Sequence, residues 1–313
     1  LDGDCDGYGE STGIAACSSP GADYVLDGTD CDDGDGRDAP GAPERCDGLD
    51  NDCDGTIDES CVTPITISAA AYSEVENPAN ASACARFAEL NTSTDPHQAA
   101  NLPTFMTGLD GGSGFRSAVE QDASLLDYSI HSGSNYGIIS PGNYSGTQPW
   151  PVVSLTGSYG AARFRGYINL RCGEELNRTI GLIGNDAMTL TIAGTTITTN
   201  QWSTGQWKTF RYVSFPGPGL YPFEVRWSTN FSYDIDPFEL VWADGFVSGY
   251  NNYNTMCSYS TCTYGNNQPI PNFSVVTSTN LAQSTTGADT SCEQCATTAD
   301  CSAGVCNSAG ICE

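Results

Sequence analysis

The chain has little positive charge. Of its 313 residues only 11 are Lys or Arg, against 38 Asp and Glu, and the formal net charge is −27. Lys208 is the sole lysine. A surface of that sign repels phosphate backbones and anionic lipid headgroups, which excludes nucleic acid and direct lipid contact as partner classes. Histidine is almost missing: His97 and His131 stand alone and far apart. Zinc and copper select clustered imidazoles and thiolates, so that scarcity argues against both metals. No apolar run approaches the ~18 residues of a spanning helix, so membrane insertion is not expected. Leu1 is followed at once by Asp2, with no signal peptide, as in a mature or processed secreted form. A nucleophile elbow, an H-E-x-x-H helix and a phosphate loop are also absent, so a non-enzymatic protein is expected. The one acid pair open to a glycosidase reading is Glu224 with Glu239.

Cysteine, by contrast, is abundant. Cys5, Cys17, Cys31, Cys46, Cys53 and Cys61 crowd the start; Cys84, Cys172, Cys257 and Cys262 are scattered through the middle; and Cys292, Cys295, Cys301, Cys306 and Cys312 crowd the end. Such usage predicts disulfides and an oxidising, extracellular or cell-surface location. Fifteen is odd, so one thiol is free, bridges to another chain or has its partner elsewhere.

Acid is concentrated at the start. Residues 1–62 hold 15 Asp and 3 Glu against Arg37 and Arg45, a net of −16 that leaves −11 for the other 251 residues. Within this unit Asp2, Asp4 and Asp6 alternate before Gly7, and Asp50, Asp52 and Asp54 alternate before Gly55. D-x-D-x-D-G is a calcium-loop spacing: side chains at positions 1, 3 and 5 converge on one cation, and the Gly permits the turn that brings in a carbonyl at position 7, here Tyr8 and Thr56. Asp58 falls at position 9 of the second loop. Neither loop has the twelfth-position Glu of an EF-hand; Gly13 and Cys61 stand there. The missing oxygens must come from elsewhere, with Asp30, Asp32, Asp33, Glu44, Asp47 and Glu59 as donors. Ile14, Val25, Leu26, Leu49 and Ile57 are nearly all its aliphatic stock, so disulfides and calcium must hold the unit in place of a hydrophobic core.

The remainder reads as mainly β, an antiparallel, jelly-roll-like β-sandwich over 63–290 with its strand core at about 145–247. Ala162, Phe164, Gly166, Ile168 and Leu170 alternate with polar partners, as do Met188, Leu190 and Ile192, then Phe223, Val225 and Trp227, then Phe238, Leu240 and Trp242. Ala83, Phe87 and Leu90 have helical spacing and predict one short helix. Residues 291–313 read as a small disulfide knot.

Two family resemblances follow. The run GYGESTGIAACSSPGADYVLDGTDCDD with PGAPERCDGLDNDCDGTIDE resembles the MopE-type metal-binding motif over residues 1–60, which implies an extracellular, calcium-loaded module. The namesake binds copper through histidines, which implies a copper-binding surface protein as one alternative. RFRGYINL, IGLIGNDAMTLTIAG and FPGPGLYPFEVRW with ELVWADG resemble the sandwich shared by protective-antigen, GLEYA and fibro-slime proteins over about 145–247. That implies adhesion, glycan binding or matrix assembly. In the family's lectins two successive Asp residues hold a sugar-gripping calcium; the matching positions are Asn185 and Asp186, with Asp244 as a further ligand. The expectation is a secreted or surface calcium-binding protein that mediates adhesion or a filamentous assembly of its own copies, with a calcium-dependent lectin as the other alternative.

Overall fold

The computed structural model describes residues 1–14, 21, 24–45, 47–68, 70, 72–90, 115–129, 148–149, 159–185, 187–200, 206–230, 237–247, 252–257, 273–285, 292, 306–309 and 311–312. Its strands are β1 (Ile65–Thr66), β2 (Ala83–Leu90), β3 (Phe115–Ala123), β4 (Asp127–Ser129), β5 (Gln148–Pro149), β6 (Tyr159–Leu170), β7 (Asn177–Asn185) and β8 (Ala187–Ile192). They continue as β9 (Thr195–Asn200), β10 (Gln206–Ser214), β11 (Gly219–Asn230), β12 (Pro237–Asp244), β13 (Asn252–Cys257), β14 (Ser274–Val275) and β15 (Leu281–Ala282). One sheet runs β1-β10-β7-β12-β4-β5, with β13 on β10 and β14 on β12; the other runs β3-β2-β6-β11-β8-β9, with β15 on β6. Pairing is antiparallel except β1 with β10 and β4 with β5. The fold is the expected two-sheet β-sandwich.

Its core lies between the sheets and comes from the alternating positions. Phe164, Ile168, Phe223, Val225, Trp227, Leu182, Phe238 and Leu240 all join one buried cluster. At its centre Phe238 stacks on Phe164 across the sandwich, centroids 5.0 Å apart and planes 7° apart, and on Trp227 at 5.1 Å. Phe87 meets Phe164 edge-on at 5.5 Å. Gly181 is a Gly for steric reasons: a Cβ there would stand 2.3 Å from the Phe210 ring of the facing strand.

The predicted helix is a strand. Ala83–Leu90 pairs with β3 on one side and β6 on the other. An interval of four residues satisfies period two as well as 3.6, so the Ala83–Phe87 spacing fits either element. Two flanking strands and the Cys84–Cys292 disulfide decide the matter.

The second face of the β6 sheet is also covered. Tyr167 and Asn169 alternate outward yet are fully buried, because residues 72–75 and the C-terminal segment lie over them. The Asn169 amide exchanges two hydrogen bonds with the Val75 backbone, at 2.7 and 3.1 Å. Tyr167 Oη lies 3.0 Å from Ser308 Oγ and accepts from the Ala309 N–H. Cys292 bonds to β2, so the tail is stitched to the sandwich and is not a self-contained knot.

The aromatic stack generates a stability prediction. Phe238→Ala is expected to cost about 3–5 kcal/mol in urea unfolding of the oxidised protein. Val119→Ala, at a position 37% exposed, is expected to cost under about 0.5 kcal/mol. Equal losses would contradict the stack as the centre of the core.

Candidate metal centre

The first Asp loop folds on its own carboxylates. Asp2 accepts the Asp6 N–H through Oδ1 at 3.1 Å and the Gly7 N–H through Oδ2 at 3.2 Å; Asp6 Oδ1 accepts the Tyr8 N–H at 2.7 Å. Gly7 turns at φ 95° and Cys5 at φ 67°. The second loop repeats this bond for bond. Asp50 accepts the Asp54 and Gly55 N–H groups at 3.2 and 2.9 Å, and Asp54 accepts the Thr56 N–H at 2.8 Å. Gly55 and Cys53 turn at φ 94° and 59°. Same spacing has given same conformation, with the three acids of each loop offering oxygens within 4.8 Å of one another.

The remaining donors divide between the loops. Glu44, Asp52 and Glu59 offer oxygens within 4.8 Å, so Asp52 belongs to two convergent groups, one of which includes Glu59 at the tenth position. Glu44 is buried and braces the loop: Oε1 accepts the Asn51 and Asp52 N–H groups at 2.7 and 2.9 Å, and Oε2 accepts that of Asp58 at 2.8 Å. Asp33 Oδ1 accepts the Gly3 N–H at 2.8 Å, tying the acidic run to the first loop. Asp32 closes its own turn on Gly34.

Asp58, the ninth-position acid, has one oxygen engaged by the backbone. Its Oδ1 accepts the Asp47 and Gly48 N–H groups at 3.1 and 3.0 Å, bracing the preceding turn. Asp30 Oδ1 accepts the Asp32 N–H at 2.8 Å. Asp30 lies with Cys31 and Cys53, but those two sulfurs are bonded to each other and offer no thiolate.

The module's hydrophilic core went unread in the sequence. Arg45, Asp38 and Asn51 are all buried. Arg45 donates to Asp38 Oδ1 at 2.5 Å and to the Arg37 carbonyl at 2.9 Å, while Asn51 Nδ2 donates to the same Asp38 oxygen at 2.8 Å. The available signal was Arg45 itself, one of two cations against 18 acids in the first 62 residues.

Electrostatically the module is unbalanced. Burial pushes the Asp4 carboxyl up to about 7, with repulsion from Asp6 and Asp30 adding. Burial lifts Asp6 to about 6 against a lowering hydrogen bond from the Tyr8 N–H, again with Asp30 repelling. Asp30 is raised by its own burial and by Asp33 and Asp32. Asp4 Oδ2, Asp6 Oδ2, Asp30 Oδ2 and Glu59 Oε2 are cut off from water and have no hydrogen-bond partner. A hard cation fits these oxygens: carboxylate and carbonyl donors at alternating loop positions are its usual ligands.

The other candidate residues do not converge. Asp244 pairs with Arg178 at 2.6 Å, and the β12–β7 register sets it opposite Arg178, seven residues from Asn185 along β7. At ~3.3 Å per residue that is about 20 Å, too far for one site. The β7–β8 connection crosses between the two sheets and is not a hairpin. Asp186 and the Asn185 side chain lie outside the described residues, as do His97, His131, Cys17, Cys46, Cys262, Cys295 and Cys301, and Cys257 is described through its backbone alone. Cys5 bonds to Cys172, Cys31 to Cys53 and Cys84 to Cys292; Cys61, Cys306 and Cys312 are also disulfide-bonded. Glu224, engaged by Arg165 and Arg226, alternates out of one sheet, and buried Glu239 alternates out of the other, so the pair cannot face across a cleft.

Comparison with known proteins matches part of the N-terminal module to a family model. Residues 30–59 match the family model Cu-binding_MopE, described as "Putative metal-binding motif"; the match takes in the second loop and the acidic run but not the first loop. No curated protein sequence matches the chain. Among solved structures, the PA14 domain of the MpAFP antifreeze protein is 13% identical, with 55% of this chain and 86% of that one covered and a TM-score of 0.38. The Epithelial Adhesin 9 A domain of Candida glabrata, solved with Galb1-4GlcNAc, is 9% identical, with 62% and 100% covered and a TM-score of 0.38. An anti-sigma factor domain-containing protein from Clostridium clariflavum is 11% identical, with 69% and 52% covered and a TM-score of 0.36. Likeness at that distance carries no function.

The raised carboxyls set a pH dependence for the chelated protein. A carboxyl whose folded-state value is raised contributes stability that is present below the ordinary carboxylate range and lost as pH rises through the folded value. In EDTA the module is therefore expected to resist proteolysis at pH 5 and to weaken as pH passes about 6–7. Cleavage rates at a pH-independent protease concentration of active sites check this; a module equally resistant at pH 5 and 8 contradicts it.

Proposed function

We propose that the chain is a non-enzymatic, extracellular or cell-surface calcium protein in which an ion-held acidic module carries a β-sandwich that mediates adhesion or structural assembly. The observation that supports the calcium reading is the set of four buried carboxylate oxygens without partners, three of them within or beside alternating Asp loops. Calcium takes six to eight hard oxygens and tolerates irregular cages, whereas magnesium keeps its waters and copper seeks imidazole. Disulfides joining residues far apart support an oxidising location. Among the described residues no helix is long and apolar enough to cross a membrane.

Calcium here is structural. With Ile14, Leu26, Leu49 and Ile57 exposed, burial of apolar surface contributes little to the module, and ion binding becomes folding energy. Asp244 lies at the opposite end of the strand pair from Asn185, so it does not join Asn185 in a lectin site.

Elemental analysis of protein equilibrated with mixed calcium, magnesium and copper is expected to return calcium. Chelation is expected to open residues 1–62 to protease within minutes while the disulfide-linked sandwich persists. Retention of copper alone, or an unchanged cleavage pattern in EDTA, overturns the reading. On a glycan array no calcium-dependent signal is expected; one abolished by Asp186→Ala would establish the lectin in its place.

A further inference from the structure

Strands β2 and β15 lie end to end along one edge of β6. Cys84 stands opposite Arg165 and Ala282 opposite Tyr167, so the entry and the exit of the sandwich chain meet beside Gly166. A Cβ on Gly166 would stand 3.1 Å from the Ala282 carbonyl oxygen and 3.4 Å from Ala83 Cα, so the junction closes over a residue with no side chain. Ser82, which precedes β2, and Gln283, which follows β15, come together there, 3% and 0% exposed. Neither the metal centre nor the hydrophobic core uses them.

The contacts at this junction are over-subscribed. Gln283 Nε2 lies 2.7 Å from Asp122 Oδ1, 2.8 Å from Ser82 Oγ and 3.2 Å from the Ala83 carbonyl oxygen. An amide nitrogen has two hydrogens, so three acceptors exceed what it can satisfy. Turning the amide over would set Oε1 against the same carboxylate and carbonyl, a worse match. The Ser82 hydroxyl hydrogen is directed elsewhere, to Asn80 Oδ1 at 2.5 Å, and Asn80 Nδ2 donates to Gln283 Oε1 at 3.3 Å. A hydroxyl oxygen therefore turns a lone pair toward a buried amide whose carbonyl is polarised by Asn80 and whose nitrogen touches a carboxylate. These are the parts of an acyl transfer: a nucleophile, a donor for the oxyanion, and a leaving group with its counter-charge.

We propose that Ser82 and Gln283 form an intramolecular ester cross-link, made by the protein on itself. Ser82 Oγ attacks Gln283 Cδ and the C–O bond forms, while the negative charge gathering on Oε1 is met by the Asn80 Nδ2–H. The hydroxyl proton passes to Nε2, whose growing positive charge faces the Asp122 carboxylate. The Cδ–Nε2 bond then breaks and one ammonia leaves past Asp122, which is exposed to solvent. No co-reactant is consumed. The terminal torsion of Gln is broad, so a modest rotation brings Cδ to Oγ. Fixed proximity away from water favours attack by the serine and shields the ester from hydrolysis. The two residues are 201 positions apart, and the bond joins the two ends of the sandwich, so tension between module and tail bypasses its strands. Cys84–Cys292 closes almost the same circuit, but a thiol reductant opens a disulfide and leaves an ester intact.

The test is the mass of the full chain, denatured and fully reduced. The native protein is expected to weigh less than its sequence by one ammonia, and its protease digest to yield one branched peptide that holds both Ser82 and Gln283 and is split by hydroxylamine. Ser82→Ala is expected to restore the full mass, and Asp122→Asn to leave roughly tenfold less cross-link in freshly folded protein. Full sequence mass, with Ser82 and Gln283 recovered in separate linear peptides, overturns the proposal. An ammonia loss that maps elsewhere, as to an Asn-derived succinimide, or one that persists in Ser82→Ala, overturns it too. Cross-linking at the native rate in Asp122→Asn overturns the role given to that carboxylate. The digest of the native chain decides alone if Ser82→Ala does not fold.

Discussion

Unneutralised carboxylate charge is the constraint on which the N-terminal 62 residues of this structure turn. A net of −16 in 62 residues, with Leu26 fully exposed and Ile14 and Ile57 about as exposed as surface residues, leaves no apolar core to collapse upon. What replaces it is a set of polar closures. Asp38, Arg45 and Asn51 satisfy one another in the interior; Glu44 braces three backbone amides; each Asp loop closes on its own N–H groups. These closures use one oxygen of many carboxylates and leave the other facing inward. Geometry that is satisfied on the backbone side and unsatisfied on the inner side is a cage for a cation.

The sandwich depends on a different and more familiar constraint, and the sequence carried it more openly. Alternation in β6, β8, β11 and β12 sets which residues meet between the sheets, because strand side chains point to opposite faces by geometry alone. What alternation cannot report is whether something covers the second face. Tyr167 and Asn169 read as exposed partners and are buried under residues 72–75 and a tail some 140 positions away, a contact invisible to any local window. Ala83–Leu90 failed for a related reason. Its spacing fits two periods, and the choice is made by neighbours in space.

The metal centre divides along the same line. The two Asp loops were legible because each is local: six residues dictate their own turn, and the two copies agree hydrogen bond for hydrogen bond. The completing acids were legible only as a pool. That Glu59 joins Asp52 while Asp33 turns to Gly3, and that Asp58 braces a turn, follow from the packing of one segment on another. Asp244 shows the converse error. Proximity in composition suggested a site with Asn185, and strand register places the two at opposite ends of β7.

The shortage of basic residues noted at the outset then acquires a structural meaning. Two small units joined through a polar seam are mobile by default unless something fixes them. In most proteins Lys and Arg would supply the opposite charge across such a seam. Here the few arginines are engaged within their own units, Arg45 with Asp38, Arg178 with Asp244 and the face of Trp242 at 4.1 Å, and Arg165 with Glu224. Asp6 of the acidic module lines one cleft with Glu174, Glu175 and Asp244. On the proposed reading, a hard cation stands in the module where cationic side chains stand elsewhere.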